Sequence, residues 1–427
     1  MKLTYEEAKN KLIDSVSVTT AETVDLEKSY GRVLAEDIVA AENVPSFDRS
    51  PYDGYAFRAE DTAIADDMID GHGSAVAISE NVPGIGIDRS SERSGVVLRV
   101  IENIRAGQLP EKKVVPGTAV RLMTGACLPE GADAICKYED TDFTDTEVVL
   151  KRKYKTGENV IYAGEDMKKG QIIARAGTVI DAGLAGAMAS LGIISVPVYK
   201  RLRTGLISTG DEVAELGEEL KKGQIRNSNR YSISAALKKY NIDTVYLGHV
   251  DDDEESIIRM IERGLRECDV LISTGGVSVG DYDLVISAMK KASLDILCDG
   301  VVIKPGMASA YGVKEGKLML ALSGNPASSL TNLQCVCMPS LRKMAGYLDY
   351  DHRLVDMRIS EGYTNKSSNT RFLRGKLGYR DGEVWLEYSS SQGNVVISSA
   401  IGCDAYGIIP PKSGQILEGK MIKGFLI

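Results

Sequence analysis

Five polar loops in the middle of the chain each follow a short apolar run, and together they carry residue types that bind charged small molecules. The loops occupy residues 209–212, 249–253, 274–283, 304–306 and 323–326. The apolar runs before them are RTGLIS, DTVYLG, DVLIS, ILCDGVVI and LMLALS. Because predicted helices separate these runs, the pattern indicates a parallel sheet, whose ligands bind beyond the carboxyl ends of the strands. We therefore expect the loops to meet at one edge of the sheet.

The loops combine groups that cradle an anion with oxygen ligands for a hard metal ion. Gly275 and Gly276 let backbone N–H groups approach an anion, and Lys304 adds a positive charge suited to phosphate or another oxyanion. Three carboxylates are of the kind that Mg²⁺ uses together with substrate phosphates. They belong to Glu212, Asp252 and Asp283. The set predicts a metal-assisted site for a phosphorylated or nucleotide-like ligand, although no P-loop or GxGxxG fingerprint names that ligand.

Each loop also has a purely structural interpretation. A Gly-Gly pair after a strand can be only a tight turn, and Asp252 with Asp253 can simply begin a helix, where acidic residues are favoured. Lys304 before Pro-Gly can be a solvated turn residue. Asn325 and Pro326 suit the start of a helix, as N-cap and first helical residue. The expected convergence of the loops on one sheet edge favours the functional interpretation.

A second polar group lies nearer the N-terminus, between short runs typical of β-strands. Residues 45–56, PSFDRSPYDGYA, contain two aspartates, two tyrosines and an arginine. Residues 121–126, RLMTGA, end a predicted strand with a hydroxyl and a glycine. A turn-rich surface loop is the structural alternative, but the density of Asp, Tyr and Gly favours a loop presented to a ligand or partner.

Composition narrows the classes of function. A chain of 427 residues predicts two to four domains, and 43% hydrophobic with 26% charged residues is typical of a globular protein. The net charge of −9 disfavours nucleic acid or an acidic membrane as the main partner. No apolar run approaches the roughly 20 residues that span a bilayer, and the N-terminus is not that of a signal peptide. The seven scattered cysteines lack zinc-site spacing and predict reduced thiols in a cytoplasm.

The order of elements predicts a multi-domain fold of class α/β plus β. Thr4 and Glu7 form a capping box before a first helix, and DLEKSYGRVLAEDI continues with helical spacing. Residues 46–149 read as a small β-rich domain inserted into a mixed helical and β region at 1–45 and 150–196. Residues 197–345 form the central parallel-sheet domain, and 346–427 a C-terminal β-barrel-like domain.

Nine motifs, taken in chain order, resemble one enzyme family. They are RSPYDGYA, RLMTGACLPEGADAI, AGEDMKKGQ, STGDEV, QIRNSN, TGGVSVGDYD, IKPG, SGNPASS and QGNVVISS. The series resembles the molybdopterin molybdenumtransferases, which insert molybdenum in molybdenum cofactor biosynthesis, and gephyrin's C-terminal region is similar. The resemblance runs from the first helix to the C-terminus. It implies four domains, of which 197–345 is molybdopterin-binding-like and the discontinuous first domain serves dimerisation.

The resemblance implies a reaction and a set of site residues. Adenylylated molybdopterin and molybdate, with Mg²⁺, would give molybdenum cofactor and AMP. The catalytic residues would be Asp53, Thr124, Glu212, Asp252, Asp283 and Lys304. Glu212 and Asp283 would hold the metal ion. The pterin nucleotide would contact Asp166, Gly275, Gly276, Ser278, Ser323, Gly324, Asn325, Pro326 and Ser398.

The resemblance also implies partners. The protein would be a cytoplasmic homodimer with sites shared between subunits, in which Asp53, Thr124 and Asp166 of one chain reach the sheet edge of the other. The molybdopterin adenylyltransferase that makes the substrate is a further expected partner. Neither nucleic acid nor a membrane is expected.

The chain departs from the family pattern at two positions. Gly300 stands four residues before Lys304, where bacterial relatives can carry a second lysine, and this bears on the strength of anion binding and on molybdate capture. Ser323 replaces the proline of a Pro-Gly-Asn-Pro loop, a milder change. Two alternatives stay open: a scaffolding module that binds the pterin without turnover, and a preference for tungstate, an oxyanion nearly isosteric with molybdate.

Overall fold

The structure is a computed structural model that describes residues 2–63, 86–88, 95–277 and 284–427. These residues form two compact units. The first consists of Met1–Asp37, Arg175–Gly186 and Ile194–Ile427, and the second of Ile38–Ala174 and Ala187–Ile193. The four predicted domains divide the chain more finely than this, and their boundaries stay predictions.

The described residues contain seven α-helices, numbered here in chain order. They are α1 Tyr5–Asp14, α2 Ala182–Ser190, α3 Ser228–Lys238, α4 Glu254–Glu267, α5 Leu284–Lys291, α6 Pro326–Asn332 and α7 Met338–Met344. A π-helical turn at Leu333–Cys337 joins α6 to α7. Short 3-10 turns occur at Leu26–Lys28, Ala59–Thr62, Tyr138–Asp140 and Ile397–Ala400. No helix in the described ranges is long and apolar enough to cross a membrane.

The first 40 residues confirm one helix prediction and contradict another. The capping box of α1 is present, because Thr4 Oγ1 accepts from the Glu7 N–H and Glu7 Oε2 accepts from the Thr4 N–H. The helix predicted over DLEKSYGRVLAEDI is wrong, since the stretch forms only one 3-10 turn before Gly31, whose φ is +73°. The Gly31 N–H donates to the Ile180 carbonyl, so pairing with a distant segment replaces local helical bonds.

Short strands dominate the next part of the chain. The first eleven strands are β1 Ala21–Asp25, β2 Ile38–Val39, β3 Gly54–Phe57, β4 Gly86–Asp88, β5 Gly95–Ile104, β6 Thr118–Leu122, β7 Ala134–Lys137, β8 Thr141–Phe143, β9 Glu147–Leu150, β10 Ile172–Ala174 and β11 Ser195–Tyr199. In the second unit, seven of them form one sheet in the order β7-β3-β6-β5-β9-β8, with β4 also paired to β5. This sheet confirms that this part of the chain is β-rich, as predicted. Alternate residues such as Tyr55 and Ala56 enter separate cores on its two faces.

The middle of the first unit is an α/β layer structure. Its strands are β12 Arg203–Thr209, β13 Val213–Ala214, β14 Ile225–Arg226, β15 Asp243–Val250, β16 Val270–Thr274, β17 Asp295–Cys298, β18 Ile303–Lys304, β19 Ser309–Lys314 and β20 Lys317–Leu322. Six of them form a sheet in the order β15-β12-β16-β20-β19-β17, and the first four are parallel, as predicted. Leu206 and Ile272 pack toward α1, α3 and α7, whereas Ile207 and Leu271 pack toward α4 and α5. Both faces of the sheet are therefore covered by helices.

One predicted strand, ILCDGVVI, is divided in the structure. Its first half is β17, which pairs antiparallel with β19 at the edge of the six-stranded sheet. The chain then passes Gly300 at φ +141°, and Lys304 ends β18, which pairs with β23 Thr370–Arg380 of another sheet. Gly300 has a positive φ that favours glycine, and the chain passes from one sheet to the other at this residue. Lys304 therefore does not follow a strand of the six-stranded sheet.

The C-terminal residues form the predicted barrel. Besides β23, the strands are β21 Leu354–Ile359, β22 Tyr363–Asn365, β24 Glu383–Glu387, β25 Ala405–Ile409, β26 Gly414–Ile416 and β27 Met421–Leu426. The pairings run β23-β24-β21-β27-β25 and return from β25 to β23, so five strands close into a ring. Met357, Leu373 and Leu386 lie in its buried core. Closure leaves these five strands without a free edge among themselves.

Candidate functional site

The carboxyl ends of β12, β16 and β20 meet around a small polar pocket in the first unit. Hydroxyl, amide and carboxylate groups line most of it. The lining includes Ser208, Thr209, Glu212, Asn227, Asn229, Thr274, Gly324 and Pro326. Three of the five loops expected at the sheet edge line this pocket, as the topology of a parallel sheet requires. A fourth, at 249–253, contacts the first of them, since the Asp252 N–H donates to Asp211 Oδ1 at 3.4 Å.

Close packing next to the pocket explains the glycines after β16. Gly275 has φ +94° and Gly276 has φ +64°. A Cβ at 275 would collide with the Thr209 carbonyl, and one at 276 would lie 2.6 Å from Val285 Cγ2. The Gly275 N–H already donates to the Leu322 carbonyl at 3.1 Å, so it is not free for an anion. Gly275 thus allows its backbone to pack closely against Thr209. A phosphate bound in the predicted cradle would have to accept hydrogen bonds from groups other than the Gly275 N–H.

Acidic residues gather beside the pocket, at the ends of β12 and β15. The Glu212 carboxylate folds back over Gly210, where a Cβ would lie 2.6 Å from Glu212 Oε2. Partial burial, and then repulsion from Asp211 and Glu212, raises the pKa of Asp252. Asp253 is the N-cap of α4 and accepts from the Ser256 N–H at 2.9 Å. The helix-start interpretation therefore applies to Asp253, whereas Asp252 belongs to the acidic group.

The donor set fits a divalent cation that completes its coordination with substrate oxygens. Within the described ranges, no three His, Cys, Asp or Glu side chains form a group able to hold a metal ion by themselves. Glu212 and Asp252 repel one another, and no lysine or arginine in those ranges forms an ion pair with either. Asp283 and Ser278 lie outside the described residues, so their predicted roles stay predictions.

Two asparagines of QIRNSN, which the analysis of residue chemistry missed, organise the pocket wall. Asn229 Nδ2 donates to the Gly324 carbonyl at 2.8 Å, and Asn229 Oδ1 accepts from Ser329 Oγ at 2.9 Å. Asn227 caps α3 by accepting from the Arg230 N–H, and its Nδ2 donates to Ser208 Oγ at 2.9 Å. In the sequence, an asparagine just before a predicted helix indicates a helix cap. It does not indicate the distant hydrogen-bond partners that these side chains have in the structure.

Helix α6 connects the pocket to the remaining predicted residues of the first unit. Pro326 is its first residue, and Asn325, at the N-cap position, makes no side-chain capping bond. The Asn332 amide donates to the Gly306 carbonyl at 2.9 Å, which fixes the loop after Lys304. The Ser328 N–H donates to the Asn394 carbonyl at 3.2 Å, which fixes the loop that carries Ser398.

Ser323, Lys304 and Ser398 differ in exposure around α6. Ser323 is buried, and its Oγ accepts from the Asn325 N–H at 3.2 Å, so it shapes the turn before α6. Lys304 and Ser398 are both exposed. Their side chains are therefore accessible to a ligand.

The second unit holds a separate pair of predicted residues. Asp53 Oδ1 accepts from the Thr124 backbone N–H at 2.6 Å and from Thr124 Oγ1 at 2.8 Å. These bonds hold the pKa of the Asp53 carboxyl below its ordinary value. The neighbouring loops pair through Ser50, whose N–H donates to the Ala126 carbonyl. Asp166 is exposed on a loop whose backbone N–H bonds to the Val44 carbonyl.

Family comparisons match the fold region by region. Residues 205–343, which contain the pocket, match the family described as "Probable molybdopterin binding domain". Residues 3–192 match "MoeA N-terminal region (domain I and II)", and residues 356–424 match "MoeA C-terminal region (domain IV)". The α/β layer with its polar pocket therefore defines a protein with a molybdopterin-binding type of domain.

Whole-chain comparisons agree with one another. The chain is 32% identical over 371 residues to the molybdopterin molybdenumtransferase of Staphylococcus aureus strain Mu50, covering 87% of this chain and 83% of that protein. It is 32% identical over 415 residues to the Bacillus subtilis strain 168 protein of the same name, covering 95% and 90%. A crystal structure of the molybdopterin biosynthesis moeA protein of Pyrococcus horikoshii OT3 superposes with a TM-score of 0.82 at 28% identity, covering 100% of both chains. The chain belongs to the molybdopterin molybdenumtransferase family, and it is an enzyme of that class.

Proposed function

We propose that this enzyme inserts molybdenum from molybdate into adenylylated molybdopterin, with Mg²⁺, and releases AMP and molybdenum cofactor. The observation that carries the proposal is a polar pocket lined by Glu212, with Asp252 near Glu212, where neither carboxylate forms an ion pair with a lysine or arginine among the described residues. A site with unneutralised carboxylates next to hydroxyl and amide donors suits a metal ion shared with a phosphate group. The family relationship supports the pterin as the organic part of that substrate.

Mg²⁺ would be held by Glu212, with Asp283 as the second predicted ligand and Asp252 beside them. When bound, it would neutralise phosphate charge and polarise the phosphoryl group of the adenylylated end. The chain's own groups have separate tasks. Glu212 and Asp252 orient the metal side of the substrate, while Thr209, Thr274 and the asparagine-held wall orient polar atoms of the ligand.

The oxyanion is expected near α6, where exposed groups of two loops lie. Lys304 would pair with molybdate or phosphate oxygens, and Ser398 would donate a hydroxyl to the pterin or the oxyanion. Gly300 supplies no second lysine, so Lys304 carries more of the anion-binding charge here than in relatives that have two.

We further propose a cytoplasmic homodimer in which each site is shared. Asp53 and Thr124 of one chain would complete the Glu212 side of the other chain, with Asp166 near them. The two hydrogen bonds from Thr124 hold the Asp53 carboxylate in one orientation, which supports a role for it in the site. The molybdopterin adenylyltransferase would deliver the substrate. All seven cysteines are unpaired thiols, as a reducing compartment requires.

The proposal is tested by adding molybdate and Mg²⁺ to the purified protein with adenylylated molybdopterin and measuring AMP release. We expect AMP only when both the oxyanion and the divalent cation are present. If the protein binds the pterin but releases no AMP, the proposed reaction is wrong and the alternative of a scaffolding module that binds the pterin without turnover is favoured. Parallel reactions with tungstate decide which of the two oxyanions is preferred.

A further inference from the structure

A carboxylate three residues after Glu212 lies at the centre of a hydrogen-bond network. Glu215 Oε1 accepts from Tyr246 OH at 2.7 Å and from Asn227 Nδ2 at 2.6 Å. Glu215 Oε2 accepts from Arg230 Nη1 at 2.7 Å. The Arg230 guanidinium also lies 4.0 Å from the centroid of the Tyr246 ring. We call these four residues, Glu215, Asn227, Arg230 and Tyr246, the Glu215 clamp.

The Glu215 clamp is partly buried, and its carboxylate accepts three hydrogen bonds. The Glu215 side chain is 27% exposed and that of Arg230 is 32% exposed. Although partial burial opposes ionisation, the bonds from Tyr246, Asn227 and Arg230 hold the pKa of Glu215 below its ordinary value. An ionised carboxylate that accepts three bonds, one of them from a guanidinium, is a well-defined anchor.

The clamp joins elements that surround the pocket. Glu215 follows β13, Asn227 and Arg230 lie at the start of α3, and Tyr246 belongs to β15. Asn227 Nδ2 continues the network to Ser208 near the end of β12. The Glu215 carboxylate therefore holds the loop after β12 at a fixed distance from α3 and β15.

That loop also carries Glu212, and its backbone is held at both ends. The Val213 N–H donates to the Gly210 carbonyl at 3.0 Å, and the Ile225 N–H donates to the Glu212 carbonyl at 2.8 Å. The Asn227 N–H donates to the Ala214 carbonyl at 2.9 Å, one residue before Glu215. The Glu212 side chain is exposed, so packing does not fix it, and its position depends on this backbone.

We propose that Glu215 is a positioning residue that holds Glu212 where it binds the divalent cation of the reaction. The inference rests on the proposed function of Glu212, and it assigns Glu215 no contact with substrate. A purely structural role would lower stability alone. A positioning role weakens metal binding and turnover through Glu212, because a catalytic group displaced by about 1 Å can cost roughly 10²-fold in rate.

The test compares Glu215→Ala and Glu215→Gln with Glu212→Ala and the double variant Glu212→Ala/Glu215→Ala. Glu219→Ala, at an exposed residue of the same segment, is the matched control. The readouts are Mn²⁺ affinity by electron paramagnetic resonance with inorganic phosphate present, the kcat of AMP release, and the thermal midpoint. Tyr246→Phe removes one bond to Glu215 and serves if Glu215→Ala fails to fold.

We expect Glu215→Ala to weaken Mn²⁺ binding and kcat by about 10-fold or more, Glu215→Gln and Tyr246→Phe by less, and Glu219→Ala by no measurable amount. The double variant should bind Mn²⁺ no more weakly than Glu212→Ala, because Glu215 acts through Glu212. A lower thermal midpoint with unchanged Mn²⁺ affinity and kcat would overturn the proposal, as would losses that multiply in the double variant. If Glu212→Ala itself leaves Mn²⁺ binding and AMP release intact, the proposed metal role of Glu212 fails instead.

Discussion

At the scale of single residues, the candidate site combines an exposed lysine with two neighbouring carboxylates. Lys304 is exposed, and none of the acidic side chains in the described ranges forms an ion pair with it. Glu212 and Asp252 likewise form no ion pair with a lysine or arginine in the part of the chain that the structure describes. Most surface charges can be removed at little cost, so these residues are informative when they are changed one at a time.

Lys304→Ala should weaken binding of the adenylylated pterin by the equivalent of a charge-assisted contact, roughly 1.5–3 kcal/mol. The salt dependence of binding should also fall, since one screened attraction is lost. Titration at two ionic strengths measures both effects. Lys420→Ala, at an exposed lysine of the barrel, is the control. Unchanged affinity and an unchanged salt response would make Lys304 only a turn residue.

Asp252→Asn should raise thermal stability in the absence of divalent cations and lower Mg²⁺-dependent turnover. Partial burial, and then Asp211 and Glu212, raises the pKa of Asp252. Its ionised form therefore destabilises the folded state at neutral pH, and the penalty falls as pH drops through the raised pKa and is gone below the ordinary pKa of an aspartate. Calorimetry with and without Mg²⁺, together with AMP release, checks both effects. A stability loss without Mg²⁺ would show that Asp252 is a structural acceptor.

At the scale of elements, the site depends on how strands end. The turns after β12 and β16 contain glycines with positive φ, and the loop after β20 approaches Gly275, so that a Cβ at Gly324 would lie 3.5 Å from Gly275 Cα. Such turns bring the three strand ends close enough to share one pocket. Each turn has a different reason for its glycine, so substitutions at the glycines are not equivalent.

Gly275→Ala should disturb the pocket more than a glycine substitution that adds only backbone strain. At Gly275 a Cβ meets the Thr209 carbonyl, and Thr209 Oγ1 would lie 2.8 Å away. Gly316→Ala, in the β19–β20 hairpin, has φ +77° and no atom within 4 Å of the added Cβ. We expect a strain cost of about 1–3 kcal/mol in both variants, with weaker pterin binding only in Gly275→Ala. Equal binding by the two variants would contradict this view of the packing around Gly275.

His352, which lies between α7 and β21, should make the stability of the folded protein depend on pH. Burial lowers the pKa of His352 to about 4, and its ring stacks on Phe425 at a centroid distance of 3.8 Å. The unfolded chain takes up this proton near pH 6.5 and the folded chain only near pH 4, so stability should fall as pH drops through that window. The full difference is about 3 kcal/mol.

His352→Phe keeps a stacking ring and removes the titration. Denaturant unfolding between pH 4 and pH 6.5 should therefore show a shallower pH dependence than the wild type, whatever the absolute stability. Equal slopes in the two proteins would assign the acid sensitivity to other groups.

At the scale of the whole molecule, the shared-site proposal predicts complementation between inactive chains. If Asp53 acts on the Glu212 of a partner, one site of a mixed dimer collects both substitutions and the other collects neither. Chains with Asp53→Ala and Glu212→Ala, refolded together in equal amounts, form about half mixed dimers, so activity should return to about a quarter of wild type. Mass spectrometry confirms the mixed species. No recovery in their presence would place both acids in the site of one chain.

The sequence by itself determined much of this protein, wherever the physical signal is local. Alternation of apolar strands with helices predicted the four parallel strands, and the Thr4–Glu7 spacing predicted the cap of α1. The polar loops after RTGLIS, DVLIS and LMLALS were expected at one edge, since parallel strands place their carboxyl ends together. The ordered motifs indicated the family that the comparisons then showed.

Only the tertiary structure decided which polar groups meet. The break at Gly300 moved Lys304 onto a strand of the barrel sheet, and Asp253 instead of Asp252 became the cap of α4. The Glu215 clamp joins residues up to 31 positions apart, from Glu215 to Tyr246. Local periodicity encodes the face of a helix or strand, but a hydrogen bond between distant side chains depends on how the elements pack, and packing is a property of the whole fold.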